Sequence, residues 1–235
     1  MKMIADNLQF IRQNITAIAE RCGRNPDKIR LVAVTKTLPV TDIKAAIASG
    51  QFLFGENYIQ EAEEKYNNLD DRVQLHFIGH LQSNKVHIAV RIFRAIETVD
   101  SIKLAKILNK HMIQSRRIMD ILIQVNIGRD EKKSGIAPED AENLLKEISA
   151  LPNIRPLGLM TIPPFSEEAE KSRPYFRALR QLAENLQSKK LFYDNTFVEL
   201  SMGMSHDYHV AIEEGATIIR VGTAIFGDRQ NVISS

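Results

Sequence analysis

The chain has 235 residues, 44% of them apolar, enough to bury a sizeable core in one large domain or two small ones. Its 31 basic and 29 acidic residues are mixed along the length for a net charge of +2, which excludes the basic footprint of a nucleic-acid binder and leaves no dense cationic block for a membrane surface. A single cysteine, Cys22, excludes an internal disulfide and fits a reducing, cytoplasmic compartment.

In chain order, residues 4–21 come first and predict a helix. Leu8, Ile11, Ile15 and Ile18 fall on one face, and Gly23 follows as a stop signal. Asp6, Arg12 and Glu20 interrupt this segment, so it lacks the unbroken apolar core of a signal peptide, and no window approaches membrane-spanning length. Short apolar runs then recur at 31–35, 52–54, 75–78, 95–99, 119–125, 156–160, 197–200 and 217–221, the second being the weakest. Amphipathic stretches such as "VTDIKAAIASG", "YIQEAEEKYNNL", "SIKLAKILNKHM", "PEDAENLLKEISAL" and "SEEAEKSRPYFRALRQLAENLQ" separate them. Gly50 predicts a helix C-cap; Asp100 or Ser101, and Ser166 with Glu168 behind it, predict helix starts.

Alternating strands and helices imply a parallel sheet, and eight such units predict a closed (β/α)8 TIM barrel of the α/β class. An open doubly wound sheet is the alternative. With no linker and no shift in composition, residues 1–235 read as a single domain, with 1–22 as an extra N-terminal helix packed on the barrel.

In such a barrel the residues just past each strand face the site. In order they are Lys36, Gly55-Glu56-Asn57, Gly79-His80, Asp100-Ser101, Asn126, Met160-Thr161, Ser201-Met202-Gly203 with Ser205, and Gly222-Thr223. Polar turns follow strands in any protein, which accounts for Asp100 and Gly55. It accounts less well for an amine, an amide, an imidazole and several hydroxyls at one mouth. The loops after strands seven and eight are the customary phosphate site of the fold. Ser201 and Ser205, before a helix expected over 207–213, and Gly222 with Thr223 supply hydroxyls and close backbone approach there. "VGTAIFG" alone would be only a turn. Alternation points Arg220 inward with Ile218 and Gly222, where it either pairs with an acid such as Glu199 or contacts a bound cofactor. Lys36 ends the apolar run "LVAV", either reaching back to solvent or serving as a desolvated amine kept for chemistry.

Other signals carry less. His206 and His209 have helical spacing without a supporting ligand set, so no metal is expected. Cys22 has no catalytic partner. "GRDEKKSGI" reads as a charged loop, with Lys132 and Lys133 on a solvated face.

The stretches "LVAVTKTLP", "FGENYIQEAEEK", "LHFIGHLQSNK", "ILIQVNIGRDEKKSGI", "GLMTIPP" and "LSMGMSHDYHVAIEEGATIIRVGTAIFG" run from the first strand to the last. Together they resemble the pyridoxal phosphate homeostasis proteins, the YggS/PROSC group, whose fold is similar to the barrel domain of alanine racemase, fold type III of the pyridoxal phosphate proteins. The resemblance implies a role in intracellular vitamin B6 balance with pyridoxal 5'-phosphate as cofactor. It implies that Lys36 forms the Schiff base, that Ser201, Ser205, Gly222 and Thr223 bind the phosphate, and that Arg220 faces the pyridine nitrogen. Asn57 and Met204 match positions close to the cofactor, and His80 lies in a matched motif without a fixed role. An apolar surround would keep the Lys36 amine neutral, as a Schiff base requires.

A racemase of this fold carries a second β domain that supplies a tyrosine base, whereas this sequence ends at Ser235 soon after "IFGDR". Racemisation needs two positioned acid/base groups, and an arginine at the ring nitrogen weakens the electron sink. The expectation is therefore a monomeric, non-catalytic carrier or regulator, with apo-enzymes dependent on pyridoxal phosphate as recipients and neither nucleic acid nor membrane as partner. The alternative is a racemase-like or decarboxylating enzyme of the same fold, with His80 or Tyr58 as second acid/base. A sugar-phosphate barrel with a Schiff-base lysine and no cofactor is disfavoured by the resemblance.

Overall fold

Parallel strands covered on both faces must be apolar almost throughout. In the computed structural model, which describes residues 2–66 and 69–227, the eight apolar runs become β1 (Arg30–Val34), β2 (Leu53–Glu56), β3 (Gln74–Phe77), β4 (Ala95–Val99), β5 (Met119–Gln124), β6 (Ile154–Met160), β7 (Glu199–Ser201) and β8 (Ile218–Val221). Each pairs in parallel with the next, and β8 closes on β1 in a register that runs from Arg30–Ile218 to Ala33–Val221. That last pairing makes the sheet a closed barrel and rules out the open doubly wound alternative.

Around it lie α1 (Lys2–Arg21), α2 (Val40–Ala48), α3 (Ile59–Tyr66), α4 (Val86–Ile92), α5 (Ile102–Gln114), α6 (Ala141–Ile148), α7 (Arg173–Ser188), α8 (Tyr208–Glu213) and α9 (Thr223–Phe226). The starts have local causes. Ser101 caps α5 by accepting the Leu104 N–H. Ser166 accepts the Glu168 N–H but starts no long helix; α7 begins seven residues on, after a short turn, with Pro174 in its first turn where its missing N–H costs nothing. Asn67 and Asn68 of the expected third helix, Met1, and residues 228–235 lie outside the described residues.

Two cores result. The larger lies between barrel and helices, around Phe54, Phe77, Ile96, Leu108, Ile121 and Phe176. The smaller plugs the barrel interior with Val32, Leu122, Met160 and Ile218. Helix α1 buries Ile4, Leu8, Ile11, Ile15 and Ala19 on the first, while Ile18 is only half-buried; each large side chain contributes roughly 1.5–3 kcal/mol. Asn7 donates to the Ile225 carbonyl at 2.9 Å, and Arg24 to those of Ile212 at 2.5 Å and Ala216 at 2.8 Å, tying the N-terminal segment to α9, α8 and the turn before β8. No helix among the described residues is long and apolar enough to cross a membrane.

Gly55 corrects one boundary. A glycine after "FLF" reads as a turn, yet it continues β2, opposite Val34 and His76. A Cβ there would come within 2.7 Å of Val32 Cγ1 and 3.0 Å of Ile78 Cδ1, so the glycine makes room inside the barrel. Strand β7 likewise lies later than expected, and Phe197, 38% exposed, stays outside it.

Strand alternation now orders the interior from one end to the other. The inward face of β1 reads Arg30, Val32, Val34 and then Lys36; that of β8 reads Ile218, Arg220 and Gly222. Lys36 and Gly222 therefore end on the same mouth from neighbouring strands.

Candidate functional site

At that mouth a cavity of about 280 Å³ is lined by Val34, Lys36, Asn57, Ile78, Ile162, Phe165, Met204, Ser205, His206, Arg220, Gly222 and Thr223. Of the sequence-predicted residues, it brings together Lys36, Asn57, Met204, Ser205, Arg220, Gly222 and Thr223. Lys36 is half-buried and Thr223 is exposed.

The loop between β7 and α8 is built to place Ser205. Gly203 has φ of 89°, and a Cβ on it would meet that of Ala211 at 2.5 Å, so only glycine lets the loop lie on α8. Gly203 offers its carbonyl to the Arg220 N–H at 3.0 Å. Buried Asp207 accepts the Met204 N–H at 2.7 Å and the Ser172 hydroxyl at 2.8 Å. Ser205, held in this way, accepts the N–H groups of Gly222 at 3.2 Å and Ala224 at 3.3 Å. Two amides and a hydroxyl thus converge, as an anion requires.

Beneath the cradle Arg220 is almost fully buried. It donates to Ser201 Oγ at 2.6 Å and to the Thr161 carbonyl at 2.8 Å. Ser201 donates in turn to Glu97 Oε2 at 2.5 Å, and Glu97 Oε1 lies 2.6 Å from His76 Nδ1. Burial alone would raise the Glu97 carboxyl; the hydrogen bond and charge of His76, then the charge of Arg220 and the Ser201 hydroxyl, outweigh it and hold the carboxyl below its usual range. Burial pulls the Arg220 guanidinium down, opposed by the charges of Glu97 and Asp207.

Four expectations change here. Ser201 is not in the anion cradle: it is fully buried, joined to Glu97 and Arg220 below the cavity. Arg220 does not pair with Glu199, which is taken by Arg30 at 2.8 Å, and reaches Glu97 through Ser201 instead. His80 is exposed and lines adjoining cavities with Asn57 and Gly79, not the one around Lys36. Lys133 is not on a solvated face either: it is half-buried and donates to the Pro163 carbonyl at 2.5 Å. No group of metal-ligating side chains occurs among the described residues.

Sequence reasoning missed Ile78, Ile162, Phe165 and His206. Alternation carried past Met160 would have found Ile162. Phe165, 80% exposed, stands over the mouth with its ring centroid 6.4 Å from that of His206.

The donor set suits a flat, phosphorylated aldehyde. It comprises a cradle for a phosphate, an amine on the adjacent strand, a buried guanidinium, and an apolar slot of Val34, Ile78, Ile162 and Met204. The Asn57 Oδ1 atom is buried without a hydrogen-bond partner, an acceptor that a ligand hydroxyl would satisfy.

Fold and mouth together define the class: a parallel eight-stranded α/β barrel that presents an amine and an anion cradle at the C-terminal ends of its strands. The family described as alanine racemase, N-terminal domain, matches residues 7–230. The pyridoxal phosphate homeostasis protein of Aquifex aeolicus (strain VF5) is 42% identical over 226 residues, covering 96% of this chain and 98% of its own. PipY of Synechococcus elongatus PCC7942 is 36% identical, with 95% of this chain and 100% of that one covered; its TM-score is 0.85 in the structure without PLP and 0.83 in the structure with PLP bound. An alanine racemase from Clostridium difficile 630 shares the fold at 15% identity and a TM-score of 0.74, over 97% of this chain and 61% of its own. The chain belongs to the alanine racemase N-terminal domain family, and within it to the pyridoxal phosphate homeostasis proteins.

Proposed function

We propose that the chain binds pyridoxal 5'-phosphate at this mouth, holds it covalently on Lys36, and serves vitamin B6 balance in the cytoplasm as a monomeric, non-catalytic carrier or regulator. The observation that carries this is the opening of a half-buried amine and an anion cradle, from neighbouring strands, into one cavity of about 280 Å³. When bound, pyridoxal phosphate would supply an aldehyde carbon for the neutral Lys36 amine, the carbonyl oxygen leaving as water. Ser205, Thr223 and the N–H groups of Gly222 and Ala224 hold the phosphate. Asn57 Oδ1 accepts the ring hydroxyl. Val34, Ile78, Ile162 and Met204 keep water from the ring. Arg220, a permanent cation that donates hydrogen bonds without handing over its proton, would lie toward the ring nitrogen. Such a donor would leave the nitrogen unprotonated and so would weaken the electron-withdrawing chemistry the ring could supply. The names of the relatives and the PLP-bound form of PipY support the same reading.

Non-catalysis is supported by the lining itself: its titratable side chains are Lys36, Arg220 and His206, and His206 is exposed on the rim. His206 is also what keeps a racemase-like enzyme as the second reading, since it could serve as the other acid/base. Apo-enzymes that require pyridoxal phosphate are the recipients on the first reading.

Borohydride reduction of the loaded protein and peptide mapping should place the pyridoxyl label on Lys36; a label confined to Lys85 or Lys132 would overturn the assignment. Incubation with amino acids in deuterated water should give no α-proton exchange at enzymatic rates, while an added apo-enzyme recovers activity. Rapid, Lys36-dependent racemisation would instead establish the enzyme.

A further inference from the structure

Lys36 is followed by a turn that the backbone does not favour. Thr37 has φ of 62°, in the left-handed region that is costly for a β-branched residue. Such a conformation persists only where its surroundings over-determine it. Here Glu61 does so from α3: its Oε1 accepts the Thr37 N–H at 2.5 Å. The same oxygen lies 2.7 Å from Lys65 Nζ, one turn further along α3.

Lys65 is the centre of the arrangement. Its Nζ also donates to the Thr35 carbonyl at 2.6 Å and to Glu56 Oε1 at 2.9 Å. An ammonium has three N–H donors and no acceptor, and these three acceptors account for all of them. The Lys65 side chain is 7% exposed. One buried charge therefore grips the main chain on both sides of Lys36: at the carbonyl of residue 35 directly, and at the N–H of residue 37 through Glu61. Thr35, fully buried, adds its hydroxyl to the same Glu56 oxygen at 2.7 Å.

This is a costly way to hold a turn if stability were its only use. Two carboxylates share one ammonium, and Glu56 Oε2 is buried with no partner. A buried ion cluster is weak evidence for stability, since apolar packing of the same volume often does as well; what this one visibly does is fix the backbone around Lys36.

We propose that Lys65 is a positioning residue for Lys36: by clamping residues 35 and 37 it fixes the direction from which the Lys36 side chain enters the cavity, and so brings its amine within bonding distance of the aldehyde carbon. The proposal rests on Lys36 as the attachment point. Lys65 touches neither ligand nor reacting atoms and acts only through the backbone. Small misplacements of a reacting group are expensive, about a hundredfold in rate for an ångström.

The test compares the unaltered protein with Lys65→Met and Glu61→Gln in three measurements. Amide hydrogen exchange of Thr37 in the ligand-free protein reports the clamp. The rate of borohydride-trapped labelling of Lys36 by pyridoxal 5'-phosphate reports the position of the amine. The affinity for pyridoxine 5'-phosphate, an alcohol that an amine cannot capture, reports the cradle and the slot alone. Lys65→Met should expose the Thr37 amide and slow labelling about tenfold or more, with pyridoxine 5'-phosphate bound as before. Glu61→Gln should show the same pattern more weakly, and it carries the test if Lys65→Met does not fold. Equal losses for both ligands, or labelling at the unaltered rate in both variants, would overturn the clamp. Failure of the unaltered protein to label Lys36 would overturn the attachment point and this proposal with it.

Discussion

At its N-terminal end the barrel encloses a cavity of about 170 Å³ lined by Arg30, His76, Arg94, Glu97 and Asp120, among others. At its C-terminal end lies the cavity of about 280 Å³ around Lys36 and Ser205. Both carry polar side chains, and β1 and β8 contribute inward residues to each. They differ in what those residues are bonded to. At the lower end the charges satisfy one another: Arg30 pairs with Glu199 at 2.8 Å, and Arg94 and Arg155 with Asp120 at 2.9 and 2.5 Å, while Thr217 donates its hydroxyl to Glu199. At the upper end Asn57 Oδ1 has no partner, and two backbone amides converge on the one hydroxyl of Ser205. Polarity alone thus does not mark a site in a barrel. An unpartnered acceptor such as Asn57 Oδ1, opening into a cavity beside a cluster of donors, does.

The chain His76–Glu97–Ser201–Arg220 runs between the two ends, and cutting it should have the largest effect. Glu97→Ala leaves His76 and Arg220 buried without their shared carboxylate, which should cost about 3–5 kcal/mol of unfolding free energy by urea titration. The same carboxylate sets a pH dependence. Its folded value is depressed, so its stabilisation is present above the unfolded carboxylate value of about 4.3 and is lost as pH falls through the lower folded value. Unfolding free energy should fall with acid in that window, and less steeply in Glu97→Gln. An equal slope in both proteins would mean that Glu97 is not the group responsible.

The next effect separates binding from stability. Ser205→Ala removes the hydroxyl at the cradle and should weaken pyridoxal 5'-phosphate binding by about 1.5–3 kcal/mol, the range for a hydrogen bond to a charged group. Binding of unphosphorylated pyridoxal should not change. Equal losses for the two ligands would remove the cradle from the phosphate. Gly55→Ala ranks below it. Its Cβ must displace Val32, which is fully buried and stiff, or drive Ile78 toward the upper cavity. A loss of about 1–3 kcal/mol in stability is expected, with a smaller cavity and weaker ligand binding alongside it. Tighter binding would show that Ile78 moves away from the cavity instead.

Much of this was legible in the sequence because parallel strands must be apolar runs, and because period-two alternation carries Lys36, Arg220 and Gly222 to one mouth without further information. What was not legible depends on partners far away in the chain. A hydroxyl at the end of β7 reads the same whether it faces the mouth or the interior; Ser201 faces the interior because Glu97 waits there, 104 positions earlier and hidden in the apolar run "AIETV". The grip on residues 35 and 37 likewise comes from Lys65 and Glu61, which in sequence are ordinary charges on an amphipathic helix. The role of Gly55 escapes the sequence for a local reason: a turn glycine and a glycine that makes room in a barrel look alike until Val32 and Ile78 are in place.

The smallest effect tests the lower end. Glu199→Gln keeps the side chain's shape and removes its charge from Arg30, which is 40% exposed, and from the Thr217 hydroxyl. Water can take over part of what Arg30 loses, so the cost should stay near the value of a half-exposed ion pair, about 1 kcal/mol or less. The glutamine oxygen can still accept from Thr217, so that contact need not break. Binding of pyridoxal 5'-phosphate should not change, because Glu199 reaches no member of the upper cavity and Arg220 is anchored through Ser201 and Thr161. The measurement is a pair of titrations on one variant, urea for stability and ligand for affinity. A loss of affinity as large as that of Ser205→Ala would show that the two ends are coupled through the barrel interior, and that charges paired with one another at the lower end still serve the upper one.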